Sequence, residues 1–451
     1  MPYTPHTDAE RRAMLQTIGV ADIEDLFAPI PAELRARPLD LPPALTEAEV
    51  VRHLAGLARQ NVTTETHTSF LGGGAYHHHI PAAVAALAAR GEFVTAYTPY
   101  QAELSQGTLQ VIYEWQSLIC ALTGLDVANA SLYDAATGCA EAAAMAVNST
   151  RRGSVVVAGT INPDYLAVLR TYMTTQGLTL REAPVREGLT DARRLAATLD
   201  DDTAAVIVQS PNFYGLVEDQ AALAAASHGE GALYAACVNP LSLALLAPPG
   251  EVGADIATGD AQPFGVALQY GGPYVGFLAA RESLLRRMPG RIAGASVDRE
   301  GHRAYVLTLQ TREQHIKRDR ATSNICSNHA LCATIATIYL AHQGKAGLRD
   351  VATLCVQKAH YAAERIAALP GYSLRFSGPF FHEFVVRCPK KATQINRVLL
   401  ARGILGGIPL AEGPLAHTAG LDLEKCLLIC VTEVNSKEDI DALVAGLEAA
   451  A

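Results

Sequence analysis

The chain has 451 residues with a net charge of −9, and its pI is near 5.9. That balance excludes a nucleic-acid partner, which needs clustered Lys and Arg against phosphate, and no apolar run approaches the ~20 residues of a membrane span. Nine cysteines, odd in number and without a CxxC pair, read as reduced thiols of a cytoplasmic protein.

The N-terminus, MPYTPHTDAERRAML, lacks the apolar core of a signal peptide. Residues 1–60 are expected to form a helical extension. DAERRAMLQTIGVADIEDLF has apolar residues at helical spacing, and Thr46 with Glu49 makes a capping-box start for a second helix. From 61 to about 310 helices alternate with short apolar strands, the pattern of βαβ units and a mostly parallel sheet. FLGGGAYHHHIP (70–81) offers three successive histidines. Neighbouring side chains of an extended segment point to opposite faces, so only His77 and His79 could share a ligand, and no metal site is expected. In EFVTAYTPYQAELSQGTLQ (92–110), Tyr97, Thr98, Tyr100 and Gln101 sit on a proline-stiffened loop. They line a polar pocket or an interface, or else the tyrosines are buried structurally.

SLYDAATGCAEAAAMA (131–146) places Thr137, Gly138 and Cys139 at the start of an alanine-rich helix. Two readings stand: an anion cradle at the helix N-terminus, or ordinary capping by Ser131 or Thr137. SVVVAG (154–159), AAVIVQS (204–210), ALYAACV (232–238) and ADIATG (254–259) are strand-like. TREQHIKRDRATSNICSNHAL (311–331) concentrates basic residues, with acids interleaved. Cys426 and Cys430 lie in a run that reads as a buried strand. Residues 311–451 are expected to hold a long linking helix (328–369) and a smaller α+β domain with strands SLRF, FHEFVVRC and CLLICVTE.

TAYTPYQAELSQGTLQ, NASLYDAATGCAEA, SPNFYGLVED, GDAQPFGVALQYGGPYVGF and QTREQHIKRDRATSNIC together resemble the glycine dehydrogenase (decarboxylating) family, the P-protein of the glycine cleavage system, from about residue 10 onward. The resemblance is to the half that does not bind pyridoxal phosphate (PLP), called subunit 1 where the halves are separate chains. It implies a fold-type-I PLP-transferase-like fold: a large, mostly parallel α/β domain plus a smaller C-terminal α+β domain. It implies a PLP-bearing subunit 2 as partner in an α2β2 heterotetramer, glycine as substrate, and the lipoyl group of H-protein as aminomethyl acceptor. Laid on this sequence, the family's Schiff-base lysine falls at Gln262 or Pro263.

Two observations stand without the resemblance. The first lysine of the chain is Lys317, and an imine needs an amine. The run GALYAACVNPLSLALLAPPG (231–250), where an acid would pair with the pyridine nitrogen, contains no Asp or Glu. The chain alone is therefore expected to be inactive, with no covalent cofactor and a vestigial pocket around Thr137, Gly138 and Cys139. Tyr97, Thr98, Tyr100 and Gln101 are the expected contributions to the partner's active site. The alternatives are a purely structural or regulatory pseudoenzyme that lines no site, and a PLP-independent enzyme using the Thr137–Cys139 pocket.

Overall fold

Seven short segments, most of them apolar and rich in β-branched or small residues, pair into one sheet. They are β1 (Val127–Ala128), β2 (Ser154–Ala158), β3 (Thr179–Ala183), β4 (Thr203–Gln209), β5 (Leu233–Val238), β6 (Ile256–Asp260) and β7 (Gly276–Ala280). The order is β1-β7-β6-β5-β4-β2-β3. Strands β3, β2, β4, β5 and β6 run parallel, whereas β7 is antiparallel to both neighbours. This is a computed structural model, and it describes residues 6–35, 40–94, 97–310, 313–413, 415–416 and 419–451.

The alternation of side chains along a strand decides which layer each residue enters. Val156, Ala158, Val206 and Val208 pack with Trp115 and Ile119, whereas Val155, Val157, Ala205 and Ile207 pack with Ala140 and Ala143. Both faces are covered, as a parallel sheet requires. A hairpin missed by the sequence pattern follows, β8 (Ile292–Val297) with β9 (Arg303–Thr308).

The linking helix (Ala330–Ala367) carries a non-helical residue at Gly344, φ 60°. Beyond it, β10 (Ser373–Leu374), β11 (Glu383–Arg387), β12 (Ile408–Pro409) and β13 (Cys426–Cys430) form a four-stranded sheet. Cys426 and Cys430 are buried in the last of these. The segment Thr68–Ser69 pairs with Ile404–Leu405, so the strap from 68 to 80 is held on the C-terminal sheet.

The chain divides into compact units Met1–Val62 and Thr63–Ala451. In the first, the helix Asp8–Ile18 is shorter than the sequence pattern suggests, because Gly19 closes it in the left-handed conformation and a 3₁₀ turn, Ile23–Phe27, follows. Thr46 and Glu49 do form the capping box, with Glu49 Oε2 accepting from the Thr46 N–H and hydroxyl at 2.8 Å each. Among the described residues no helix is long and apolar enough to cross a membrane.

Candidate functional site

Strand β6 delivers Asp260 to the interior, where the chain must turn at Pro263. Asp260 accepts from the Gln262 N–H at 2.9 Å, and burial pushes its carboxyl up to about 7. Gln262 is 2% exposed, so its amide needs partners inside the protein. It finds three: the side-chain N–H₂ donates to the carbonyls of Tyr76 and Val266, and the side-chain oxygen accepts from the Tyr76 N–H, all at 2.9 Å.

Tyr76 carries the connection onward. Its hydroxyl donates to Glu383 at 2.9 Å, and the Gly73 N–H donates to the other Glu383 oxygen at 2.7 Å. Burial nevertheless raises the Glu383 carboxyl to about 7. Gln262, where the chain leaves β6, is thus bonded through the strap to the C-terminal sheet.

A cavity of about 20 Å³ remains beside it, lined by Gly74, Tyr76, Tyr165, Gln209, Asn239 and Asp260. That is room for about one water molecule. At the end of β5, Asn239 lies 3.2 Å from His382 through its amide nitrogen, and its oxygen accepts from the Leu241 N–H. His382 is fully buried, which lowers its pKa to about 3, so the pair is neutral.

The helix Ala135–Thr150 begins under this layer. Its N-cap is Asp134, whose carboxylate accepts from the Thr137 N–H at 2.7 Å. Neither Ser131 nor Thr137 supplies the cap, contrary to the sequence reading. Aspartate satisfies the orphan donor and places negative charge against the helix dipole, while the buried Ser131 hydroxyl has no hydrogen-bond partner among the described residues. Gly138 lies so close to β6 that a Cβ would come within 1.9 Å of the Thr258 hydroxyl. Cys139 is fully buried.

The loop at 97–101 differs in every respect. Tyr97 is 84% exposed and Tyr100 62% exposed; they are not buried structural tyrosines. Arg291, just before β8 and buried against Glu313 at 3.1 Å, gathers the loop. Its guanidinium donates to the Tyr100 hydroxyl (2.9 Å) and the Ser327 hydroxyl (3.2 Å), reaches Thr98 Oγ1 at 3.4 Å, and lies 5.0 Å from the Tyr100 ring centroid. Thr98 and Ser327 share a further hydrogen bond of 2.9 Å. Two stretches far apart in sequence, YTPYQ (97–101) and TSNICS (322–327), therefore meet on one arginine that sequence reasoning missed. Gln101 is exposed and its carbonyl accepts from the Leu104 and Ser105 N–H groups.

The basic run lines a separate cavity of about 360 Å³, with Arg286, Arg287, Lys317 and Arg320 around it. Lys317 thus faces a cavity other than the one at the end of β6. Arg312 lies outside the described residues. In the histidine run the inward residue is His78, not His77 or His79. Its Nδ1 lies 2.7 Å from Glu433, whose other oxygen accepts from the His79 N–H at 2.7 Å. The alternation expected of an extended segment holds here: Tyr76 and His78 are buried, whereas His77 is half-buried and His79 exposed.

The model of the glycine cleavage system P-protein family matches residues 1–447. A probable glycine dehydrogenase (decarboxylating) subunit 1 from Thermomicrobium roseum is 52% identical, with all of both chains covered. The same-named protein of Desulfitobacterium hafniense is 51% identical over 99% of each chain. A crystal structure of glycine decarboxylase (P-protein) of the glycine cleavage system, in inhibitor-bound form, superposes with a TM-score of 0.91 at 44% identity, covering 100% of both chains. The sphingosine-1-phosphate lyase of Burkholderia pseudomallei, at 15% identity, a TM-score of 0.66 and 93% of each chain, shares the fold alone.

Proposed function

We propose a function from one premise: the chain belongs to the glycine cleavage system P-protein family. It has the fold-type-I architecture of PLP-dependent enzymes, and it is a subunit of glycine dehydrogenase (decarboxylating). In our reading it is the subunit that holds no PLP. A PLP-bearing subunit 2 completes the enzyme, in an α2β2 assembly that decarboxylates glycine and passes the aminomethyl group to the lipoyl arm of H-protein.

The end of β6 carries this reading. PLP would supply an electron sink, held by an amine, an anion cradle and an acid at the ring nitrogen. The residues of this chain do not fit it. Gln262 and Pro263 offer no amine, Asn239 replaces the acid, Asp134 already occupies the helix start, and the cavity has room for one water. We assign Gln262 and Pro263 to the lost Schiff-base position, and Thr137, Gly138 and Cys139 to the closed remnant of the cofactor pocket.

What this chain contributes is surface. We assign Tyr97, Thr98, Tyr100 and Gln101 to the face that meets the partner's active site. Their task is positioning. A loop held by a buried ion pair and presenting two tyrosines to solvent is preorganised to orient a group delivered by another chain. The chain moves no proton and forms no covalent bond in this reading.

The test is to purify the chain and add PLP and glycine, alone and with its PLP-bearing partner. Glycine–CO2 exchange is expected only in the mixture. An imine absorbance or exchange from the chain alone would overturn the assignment. Unimpaired exchange after Tyr97→Phe and Tyr100→Phe would instead favour a purely structural subunit.

A further inference from the structure

We propose that His78, Cys355 and Glu433 form a binding site for a divalent transition-metal cation of the zinc class. The three come from different parts of the chain: the strap after the glycine bend, the long linking helix, and the turn after β13. Their ligand atoms lie within 4.8 Å of one another; His78 and Cys355 are buried and Glu433 is half-buried. His78 Nδ1 is 2.7 Å and Cys355 Sγ is 3.3 Å from the same oxygen of Glu433.

Tetrahedral coordination with bonds of about 2.0–2.3 Å separates ligand atoms by roughly 3.3–3.8 Å. The cluster needs to open by less than about 1 Å at its tightest contact to meet that spacing. Thiolate, imidazole and carboxylate together suit zinc or cobalt, whereas calcium and magnesium take oxygen ligands.

The surroundings are those of a supported site. The second oxygen of Glu433 accepts from the His79 N–H, and Lys358 Nζ donates to the Glu433 carbonyl at 2.5 Å, so the carboxylate is oriented before any ion arrives.

Coordination replaces the S–H bond by a sulfur–metal bond and releases that proton to solvent. The imidazole proton moves from Nδ1 to Nε2, which is buried and has no hydrogen-bond partner among the described residues. Carboxylate, thiolate and a divalent ion then sum to zero charge, which a buried site favours. A cavity of about 310 Å³ lined by His77, His78, His79 and Val434 gives an entry path. The bound ion would tie strap, linking helix and C-terminal domain together, whatever the partner does.

The test uses the full chain, stripped with a chelator and titrated with Co²⁺. One equivalent is expected to bind with thiolate-to-cobalt absorption in the near ultraviolet, to be displaced by Zn²⁺, and to ignore excess Mg²⁺. Cys355→Ser and Cys355→Ala should each abolish the absorption and weaken Zn²⁺ by more than ~100-fold, beyond the effect of losing an orienting partner. His77→Ala/His79→Ala should leave both signals intact. Circular dichroism confirms that each variant is folded. Absence of the thiolate band, its persistence in both Cys355 variants, or its loss in the His77/His79 variant would overturn the site.

Discussion

The end of β6 and the loop at 97–101 are the two places where this sequence is most distinctive, and they are built in opposite ways. At β6 every polar side-chain atom of Gln262 is committed to the protein's own backbone, the cavity is water-sized, and Tyr76 relays the lock to Glu383. At the loop one buried arginine does the holding, and two tyrosines are left for solvent. One region is filled by its own hydrogen bonds, while the other is fixed without being filled. Stability measurements should therefore respond strongly to the interior of each region and weakly to the tyrosines.

The largest effect is expected from Arg291→Met. It strands the buried Glu313 carboxylate, and breaking one side of a buried ion pair costs about 3–5 kcal/mol. Urea denaturation should show that loss, and Arg291→Met/Glu313→Leu should regain part of it. A single variant that is stable to within about 0.5 kcal/mol would mean that the loop has another anchor.

Gln262→Ala comes next. It leaves the buried Tyr76 N–H without an acceptor and two carbonyls without a donor, for a loss of about 2–3 kcal/mol in the same assay. Gln262→Lys sharpens the contrast. The new amine meets neither an anion cradle nor an acid, so added PLP should give no imine absorbance. An imine there would show that the region is open after all.

The sheet was legible because its central strands are buried on both faces, which leaves unbroken apolar runs such as VVVA and AVIV. The missing lysine was legible because an absent functional group needs no geometry to detect. The lock was not: Gln262 and Tyr76 are 186 residues apart, and Tyr76 and Glu383 are 307 apart. Arg291 was hidden for the same reason, since a lone arginine before a strand looks solvent-exposed until Glu313 folds against it. His78 was passed over because its partner Glu433 lies 355 residues away in the sequence. The hairpin Ile292–Thr308 was overlooked because its residues, mostly exposed or half-exposed, lack a clear two-residue apolar period.

A pH series separates the regions further. Burial raises Asp260 and Glu383 to about 7, far above their unfolded values near 4. A raised carboxyl stabilises the fold fully below the unfolded pKa, and that contribution disappears as pH rises through the folded one. Stability should therefore fall between pH 4 and 7, with a limiting slope of about 1.4 kcal/mol per pH unit for each group. Glu383→Gln should flatten the profile in that window. An unchanged slope would mean that the Gly73 and Tyr76 donors keep the carboxylate ionised.

The smallest stability effect belongs to Tyr100→Phe. It removes one hydroxyl from Arg291 on an exposed ring, leaving the ring over the guanidinium and the Glu313 pair intact, so denaturation should shift by no more than about 0.5 kcal/mol. Activity should respond differently. If the loop orients a group in the partner's active site, losing that bond loosens the geometry of the exposed tyrosine, and misplacement by about 1 Å can cost ~100-fold in rate. Reconstituted glycine–CO2 exchange should therefore drop at least several-fold while the affinity between subunits is unchanged. Equal losses of affinity and activity would reduce the loop to an adhesive surface. A loss of activity alone is the outcome that distinguishes a surface kept for a neighbour's chemistry from one kept for contact.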